Sequence, residues 1–188
     1  MIRLRVLRSL IYVSLYLIFA NSYANEKFKI INKLNNIDNI QFKFTQKINE
    51  KVEKGKCVLV FPNKLKCDYD DKNKKELIIN NKMMAITQKR YGKTLFYPIS
   101  KSTFINILNK SELIKIINKS NIIIDNYVNV VFIDANNSKT LIRFDKKTFL
   151  LSGWTSSDQY NNQIIFEIEI NSLNQTFNEN IFTLPNKS

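Results

Sequence analysis

The chain has no histidine, and its two cysteines are Cys57 and Cys67. Without an imidazole there is no His general base or acid, no His metal ligand, and no Ser-His-Asp or Cys-His nucleophile. Two thiols cannot build a four-thiolate zinc site, and the two are too far apart for a C-x-x-C redox pair. Carboxylates remain. Asp68, Asp70 and Glu167 are the candidates for hydrolytic chemistry, but Asp70-Asp71 is followed by Lys72, Lys74 and Lys75 and reads as a solvated turn. No catalytic residue, metal or cofactor is expected, so the chain should bind rather than transform.

The cysteines say more about architecture than about reactivity. The stretch from Gly55 to Tyr69 reads as two strands around a turn at Phe61-Pro62-Asn63. Pairing Val60 with Lys64 sets Leu59 opposite Leu65 and Cys57 opposite Cys67, on one face. Directly opposed residues in a non-hydrogen-bonded pair have the spacing a disulfide needs. The alternative is two free cysteines buried as small hydrophobes.

The start of the chain decides which of these the compartment favours. Arg3, Arg5 and Arg8 precede an apolar run from Ser9 to Ala20, followed by Ser22 and Ala24. That is the three-part pattern of a secretory signal over residues 1–24, cut before Asn25. Its apolar run is about 12 residues, short of the ~20 that span a bilayer. The mature domain is then 25–188, in an oxidising compartment, expected to be the periplasm. Removing the three arginines with the signal lowers the formal charge from +13 to +10. That charge invites a nucleic-acid reading, but export argues against nucleic acid. The chain holds 27 Ile, 26 Asn and 24 Lys but only 5 Arg, a bias toward A/T-rich codons rather than toward phosphate-reading side chains.

The rest of the domain alternates at the strand period. Glu26 to Asn39 reads as an amphipathic helix with Phe28, Ile31, Leu34 and Ile37 on its stripe. Ile40, Phe42, Phe44 and Ile48 then alternate with polar residues. Glu76–Ile79 and Lys82–Gln88 flank a turn expected at Asn80-Asn81, with Leu77, Ile79, Met84 and Ile86 on one face. A strand follows at Thr94–Ile99. Ser102, as a helix cap, and Phe104, Ile105 and Leu108 suggest a second helix, and Ser111–Lys119 a third. Strands return near Ile122–Asp125, Tyr127–Asp134, Lys139–Asp145, Phe149–Ser156 and Gln163–Ile170, with turns at Asn136-Asn137 and Lys146-Lys147. Alternation puts Trp154 on the face opposite Leu151. The expected fold is mainly antiparallel β with short helices: one sheet of about eleven strands, curled into an incomplete, half-open β-barrel under an α-helical lid.

In order and spacing the sequence resembles the LolA family of periplasmic outer-membrane lipoprotein carriers. Phe42-Lys43-Phe44-Thr45-Gln46 is similar to the family's first strand, and Gly55 with Pro62-Asn63 and Leu65 to its following hairpin. Glu76 to Lys82 is similar to the next strand and turn, Ser102-Thr103-Phe104 with Leu108 to the lid helix, and Phe182-Thr183-Leu184-Pro185 to the closing F-x-x-P. The resemblance implies a hydrophobic cavity for the acyl chains of lipoproteins. It implies partners: acylated lipoproteins, an inner-membrane lipoprotein-releasing ABC transporter and an outer-membrane lipoprotein receptor. The chain is expected to act as a monomer. Candidate cavity residues are Phe42, Phe44, Leu59, Phe61, Leu65, Leu77, Met84 and Ile86; candidate lid residues are Ile31, Leu34, Phe104 and Leu108. Each could equally be closed core, because periodicity gives a face and does not say whether it is empty. An alternative is a lipid-sensing or envelope-stress protein on the same fold. One departure matters: many members have Arg where this chain has Phe61, an Arg associated with holding the lid shut. A lid here is expected to close by packing.

Overall fold

A computed structural model describes residues 25–101, 105–133, 139–157 and 162–186. The signal expected at 1–24, Phe104 with the Ser102 cap, and the Asn136-Asn137 turn lie outside them.

Eleven strands form one antiparallel sheet. They are β1 (Asn39–Ile48), β2 (Lys51–Val60), β3 (Lys64–Tyr69), β4 (Lys75–Asn80), β5 (Met83–Gln88), β6 (Lys93–Pro98), β7 (Asn121–Ile124), β8 (Tyr127–Ile133), β9 (Lys139–Asp145), β10 (Leu151–Ser157) and β11 (Gln163–Leu173). The spatial order is β6-β5-β4-β3-β2-β1-β11-β10-β9-β8-β7. Hairpins make every pairing but one. The exception joins β1 to β11, with Phe44 opposite Ile168 and Ile48 opposite Ile164. β6 and β7 are the free edges, so the sheet is open.

Three helices, α1 (25–35), α2 (Ile105–Leu108) and α3 (Lys110–Lys119), lie against the inner face. Ile30 and Leu34 of α1, Leu108 of α2, and Leu113 and Ile117 of α3 share one buried cluster with Ile40, Phe42, Leu59, Val130 and Ile142 of the sheet. The Asn109 side chain caps α3 by accepting the Glu112 backbone N–H at 3.2 Å. On the outer face the C-terminal segment crosses β3 and β4. There Phe182 is 1% exposed, and its carbonyl accepts the Asn80 side chain at 3.2 Å.

The expected hairpin register is the observed one: Val60 faces Lys64, Leu59 faces Leu65, and Cys57 faces Cys67. The two cysteines are bonded, with an S–S distance of 2.01 Å. Three expectations shift. The first helix ends at residue 35 rather than Asn39, because Asn174 clamps the turn after it, accepting the Asp38 N–H at 2.8 Å and donating to the Asn36 carbonyl at 2.9 Å. Its buried stripe is Ile30 and Leu34, with Ile37 buried in the turn that follows; Phe28 is 68% exposed. The β4–β5 turn falls at Asn81-Lys82, one residue later than expected, with Asn81 left-handed (φ 54°). Leu77 now faces Ile86 and Ile79 faces Met84, so the four still share the inner face.

The third shift concerns Trp154. A bulge between Leu151 and Gly153 turns Trp154 onto the same inner face as Leu151, and both are 5% exposed. Gly153 makes this possible: at φ 144° a Cβ there would lie 2.1 Å from the Phe166 carbonyl. Arg143 fills the bulge, donating to Thr155 Oγ1 at 2.7 Å and to the Phe166 carbonyl at 3.1 Å.

The disulfide closes a short loop, so reducing it should lower stability by about 2 kcal/mol. The denaturant midpoints of oxidised and reduced protein measure this; equal midpoints would show that the bridge contributes nothing.

Candidate functional site

The inner face divides into a covered half and an open half. In the covered half Ile40, Phe42, Leu59, Leu65, Leu151 and Trp154 meet Ile107 and Leu108 of α2. The remaining void is ≈ 10 Å³ and its lining side chains are all apolar. That holds at most about one water and offers it no partner. The open half is a groove of ≈ 370 Å³ at the end of the sheet where β1 stops and β11 begins, a size typical of small-ligand sites. Leu77, Met84 and Ile86 form one wall, Ile48 and Ile164 another, and Leu65, Trp154 and Phe166 its floor.

An aromatic ladder crosses that floor. Trp154 stacks on Phe166 at 4.1 Å, Phe166 on Phe44 at 5.0 Å, and Phe44 meets the edge of Tyr69 at 4.9 Å. Phe44 and Tyr69 are on different strands with Gly55 between them in register. A Cβ at Gly55 would lie 2.2 Å from the Asp68 carbonyl and 2.8 Å from the Phe44 ring. The ladder therefore depends on that glycine.

The rim is polar and charge-balanced. The Lys75 ammonium sits 3.7 Å over the Tyr69 ring and 2.7 Å from Glu53. Burial opposes the Glu53 charge, but hydrogen bonds from Lys51 and Lys75 outweigh it and hold its carboxyl below the usual value. Burial, with the nearby carboxylates of Glu53 and Asp71, pushes the Tyr69 phenol far up, so it stays protonated. Neither group is poised as a base or nucleophile. Among the described residues no group of three or more His, Cys, Asp or Glu could hold a metal ion.

The candidate residues fall into three places. Leu77, Met84, Ile86 and Leu65 line the groove. Phe42 and Leu59 belong to the packed half, and Phe44 lies in the ladder, 3% exposed. Phe61 borders neither space; it is half-buried against the core, with the Lys110 ammonium 5.6 Å from its ring. Leu34 and Leu108 are buried in the lid, and Ile31 packs at its edge. Sequence reading missed Trp154, Phe166 and Ile107. Phe166 and Ile164 were legible from alternation along β11; the bulge hid Trp154.

The expected packing-only lid is corrected. The Asn63 backbone N–H, in the turn after Phe61, donates to the Leu108 carbonyl at 2.9 Å, so the hairpin holds α2 by its main chain. Lys110 approaches Asp38 at 3.6 Å, and Lys27 donates to the Asn118 carbonyl at 3.0 Å, tying α1 to α3.

Three outcomes follow from this geometry. Ile86→Asp, on the half-buried groove wall, should abolish uptake of an apolar fluorescent dye with little change in melting temperature. Leu59→Ala, in the packed half, should instead cost roughly 2–5 kcal/mol. Dye titration and thermal melts on both variants separate binding from core. Glu53, with its lowered pKa, contributes stability that is present above its unfolded value near 4.5 and is lost as pH falls through its folded value. Melts from neutral to acid pH should show this loss, and Glu53→Gln should shrink it.

The family pattern described as "Outer membrane lipoprotein carrier protein LolA" matches residues 21–185. No curated protein matches the sequence. Among solved structures, an uncharacterized conserved protein from Thermus thermophilus superposes with TM-score 0.53 at 7% identity, covering 86% of this chain and 94% of its own. A DUF1329 family protein from Desulfovibrio piger gives 0.50 at 7%, covering 87% and 96%. A LolA superfamily protein from Nitrosomonas europaea gives 0.45 at 8%, covering 82% and 96%. The first two share the fold at identities too low to carry a function. The family match takes in every described strand and helix, and with it go a periplasmic location and a binding role rather than an enzymatic one. The chain belongs to the LolA family of outer membrane lipoprotein carrier proteins.

Proposed function

We propose that this protein shields an acyl chain of a lipid or lipoprotein along the inner face of its sheet, taking it in through the open groove. The observation that carries this reading is the continuity of the apolar face from groove to covered half, through Leu65 and Trp154, which line both spaces. Each methylene removed from water contributes ~0.8 kcal/mol. A single long chain is therefore held in lipid by something like 10 kcal/mol and does not cross water unaided. A site for it needs apolar area and a cover that moves, and needs no nucleophile.

Two roles share this chemistry. As a carrier, the protein receives acylated lipoproteins from an inner-membrane ABC transporter and passes them to an outer-membrane receptor. As a lipid-binding or sensing protein, its part ends with the bound chain. The packed half favours the second role: with ≈ 10 Å³ free beneath α2, the groove of ≈ 370 Å³ suits one chain better than the several a lipoprotein carries. Candidate contacts in either role are Leu65, Leu77, Met84 and Ile86.

Purified mature protein should bind a fluorescent fatty acid, and the Ile86→Asp variant should not. Absence of binding by the unaltered protein would reject both roles. Depletion in the native host then separates them. Outer-membrane lipoproteins stranded in the inner membrane would establish transport; normal sorting, with binding retained, would leave a lipid-binding protein.

A further inference from the structure

At the open end of the groove two hairpin turns are fused. The β5–β6 turn donates from the Lys89 N–H to the Lys74 carbonyl at 3.4 Å and from the Arg90 N–H to the Asn73 carbonyl at 3.2 Å, both in the β3–β4 turn. The joint tip carries Lys72, Lys74, Arg90, Tyr91 and Lys93, all exposed. Tyr91 is 63% exposed, with the Arg90 guanidinium 5.8 Å from its ring. Lys89 is occupied by Glu76 at 2.7 Å. The tip's acids are Asp70, which is exposed, and Asp71, whose carboxylate accepts the Lys75 N–H at 3.0 Å. Four available cations thus face two carboxylates around one protruding aromatic ring.

An exposed Tyr among basic residues suits the boundary between water and lipid. Aromatic rings concentrate at the headgroup level, and lysine and arginine are drawn to anionic headgroups. Position adds to composition. Behind the tip, Leu95 and Tyr97 of β6 face Ile86 and Met84 across the sheet and are 45% and 40% exposed on the same inner face. An apolar track therefore runs from the tip to the groove wall. We propose that this tip docks the open end of the groove onto an anionic lipid surface. Tyr91 then lies at the headgroup boundary, with Lys72, Lys74, Arg90 and Lys93 over the lipid phosphates. A chain leaving or entering the bilayer meets Leu95 and Tyr97 before it meets water.

Vesicle flotation tests this without any cargo. The protein should float with phosphatidylglycerol–phosphatidylcholine vesicles, remain soluble with phosphatidylcholine alone, and dissociate as salt is raised. The triple variant K72E/R90E/K93E should lose at least about tenfold in vesicle partition, since each basic residue near such a surface contributes roughly fivefold. The control K33E/K82E/K119E makes the same change in net charge away from the tip and should lose no more than about twofold. Tyr91→Ser leaves every charge in place and should still lower partition several-fold. Ile86→Asn, which makes the groove wall polar without adding a charge near the tip, should dock as the unaltered protein does; its failure to dock would overturn the proposal by assigning vesicle binding to the groove. Equal losses in the two triple variants, or no flotation of the unaltered protein, would also overturn it. So would binding to polyglutamate as tight as to vesicles and indifferent to Tyr91, which would assign the tip to an acidic protein.

Discussion

An antiparallel sheet of eleven strands twists far enough to curl, and here it curls without β6 meeting β7. The rest of the molecule answers that constraint. A closed barrel would bury its inner face against itself. An open one leaves an apolar concave surface that other parts of the chain must cover. The cover is α1 with the α2–α3 segment, and it is shorter than the surface beneath it. Where it reaches, side chains interdigitate down to a void of ≈ 10 Å³; where it stops, the same face becomes a groove. Core and candidate site are one surface, divided by the extent of the helices.

The cover is lightly held by polar contacts. Among the described residues its polar ties to the rest of the fold include the Asn63–Leu108 main-chain bond, the Lys110–Asp38 approach and the Asn174 clamp behind α1. A net hydrogen bond contributes about 1 kcal/mol and an exposed ion pair less. The stronger restraint is burial of Leu108, Leu113 and Ile117, which sit at 0–1% exposure. In the proposed function an acyl chain would replace like with like, offering methylenes to the inner face where those side chains now offer theirs. Exchange of one apolar partner for another costs little, whereas exposing the face to water costs roughly 25 cal/mol per Å². Under the proposed function, the cover would therefore give way to an acyl chain and not to solvent.

Alternation along strands made both faces legible without coordinates. Leu77, Ile79, Met84 and Ile86 kept their face even though the β4–β5 turn fell one residue later, because the pairing slipped by an even number of residues. The Cys57–Cys67 register followed from the same parity. What defeated sequence reading was a break in parity or a contact made by the main chain. The bulge at Gly153 reversed the assignment of Trp154, and with it hid the aromatic floor. The lid tie runs from a backbone N–H that any residue but proline supplies, so the residue type at Asn63 left no trace of it. The end of α1 was set by Asn174, far away in sequence, clamping the turn behind the helix.

The compositional bias bears on the same geometry. Left-handed backbone at Asn49, Asn63, Asn81 and Asn174 is carried by asparagine, which tolerates positive φ and has A/T-rich codons. A residue with a Cβ suffices wherever a turn points into open space. At Gly55 and Gly153 it does not: a Cβ would lie within 2.2 Å of a carbonyl oxygen on the adjoining strand. Those two glycines carry the ladder and the bulge, the features that bring Phe44, Tyr69, Trp154 and Phe166 together beneath the groove. Drift in composition could exchange glycine for asparagine at turns, but at these two positions a side chain would push apart the strands that form the floor.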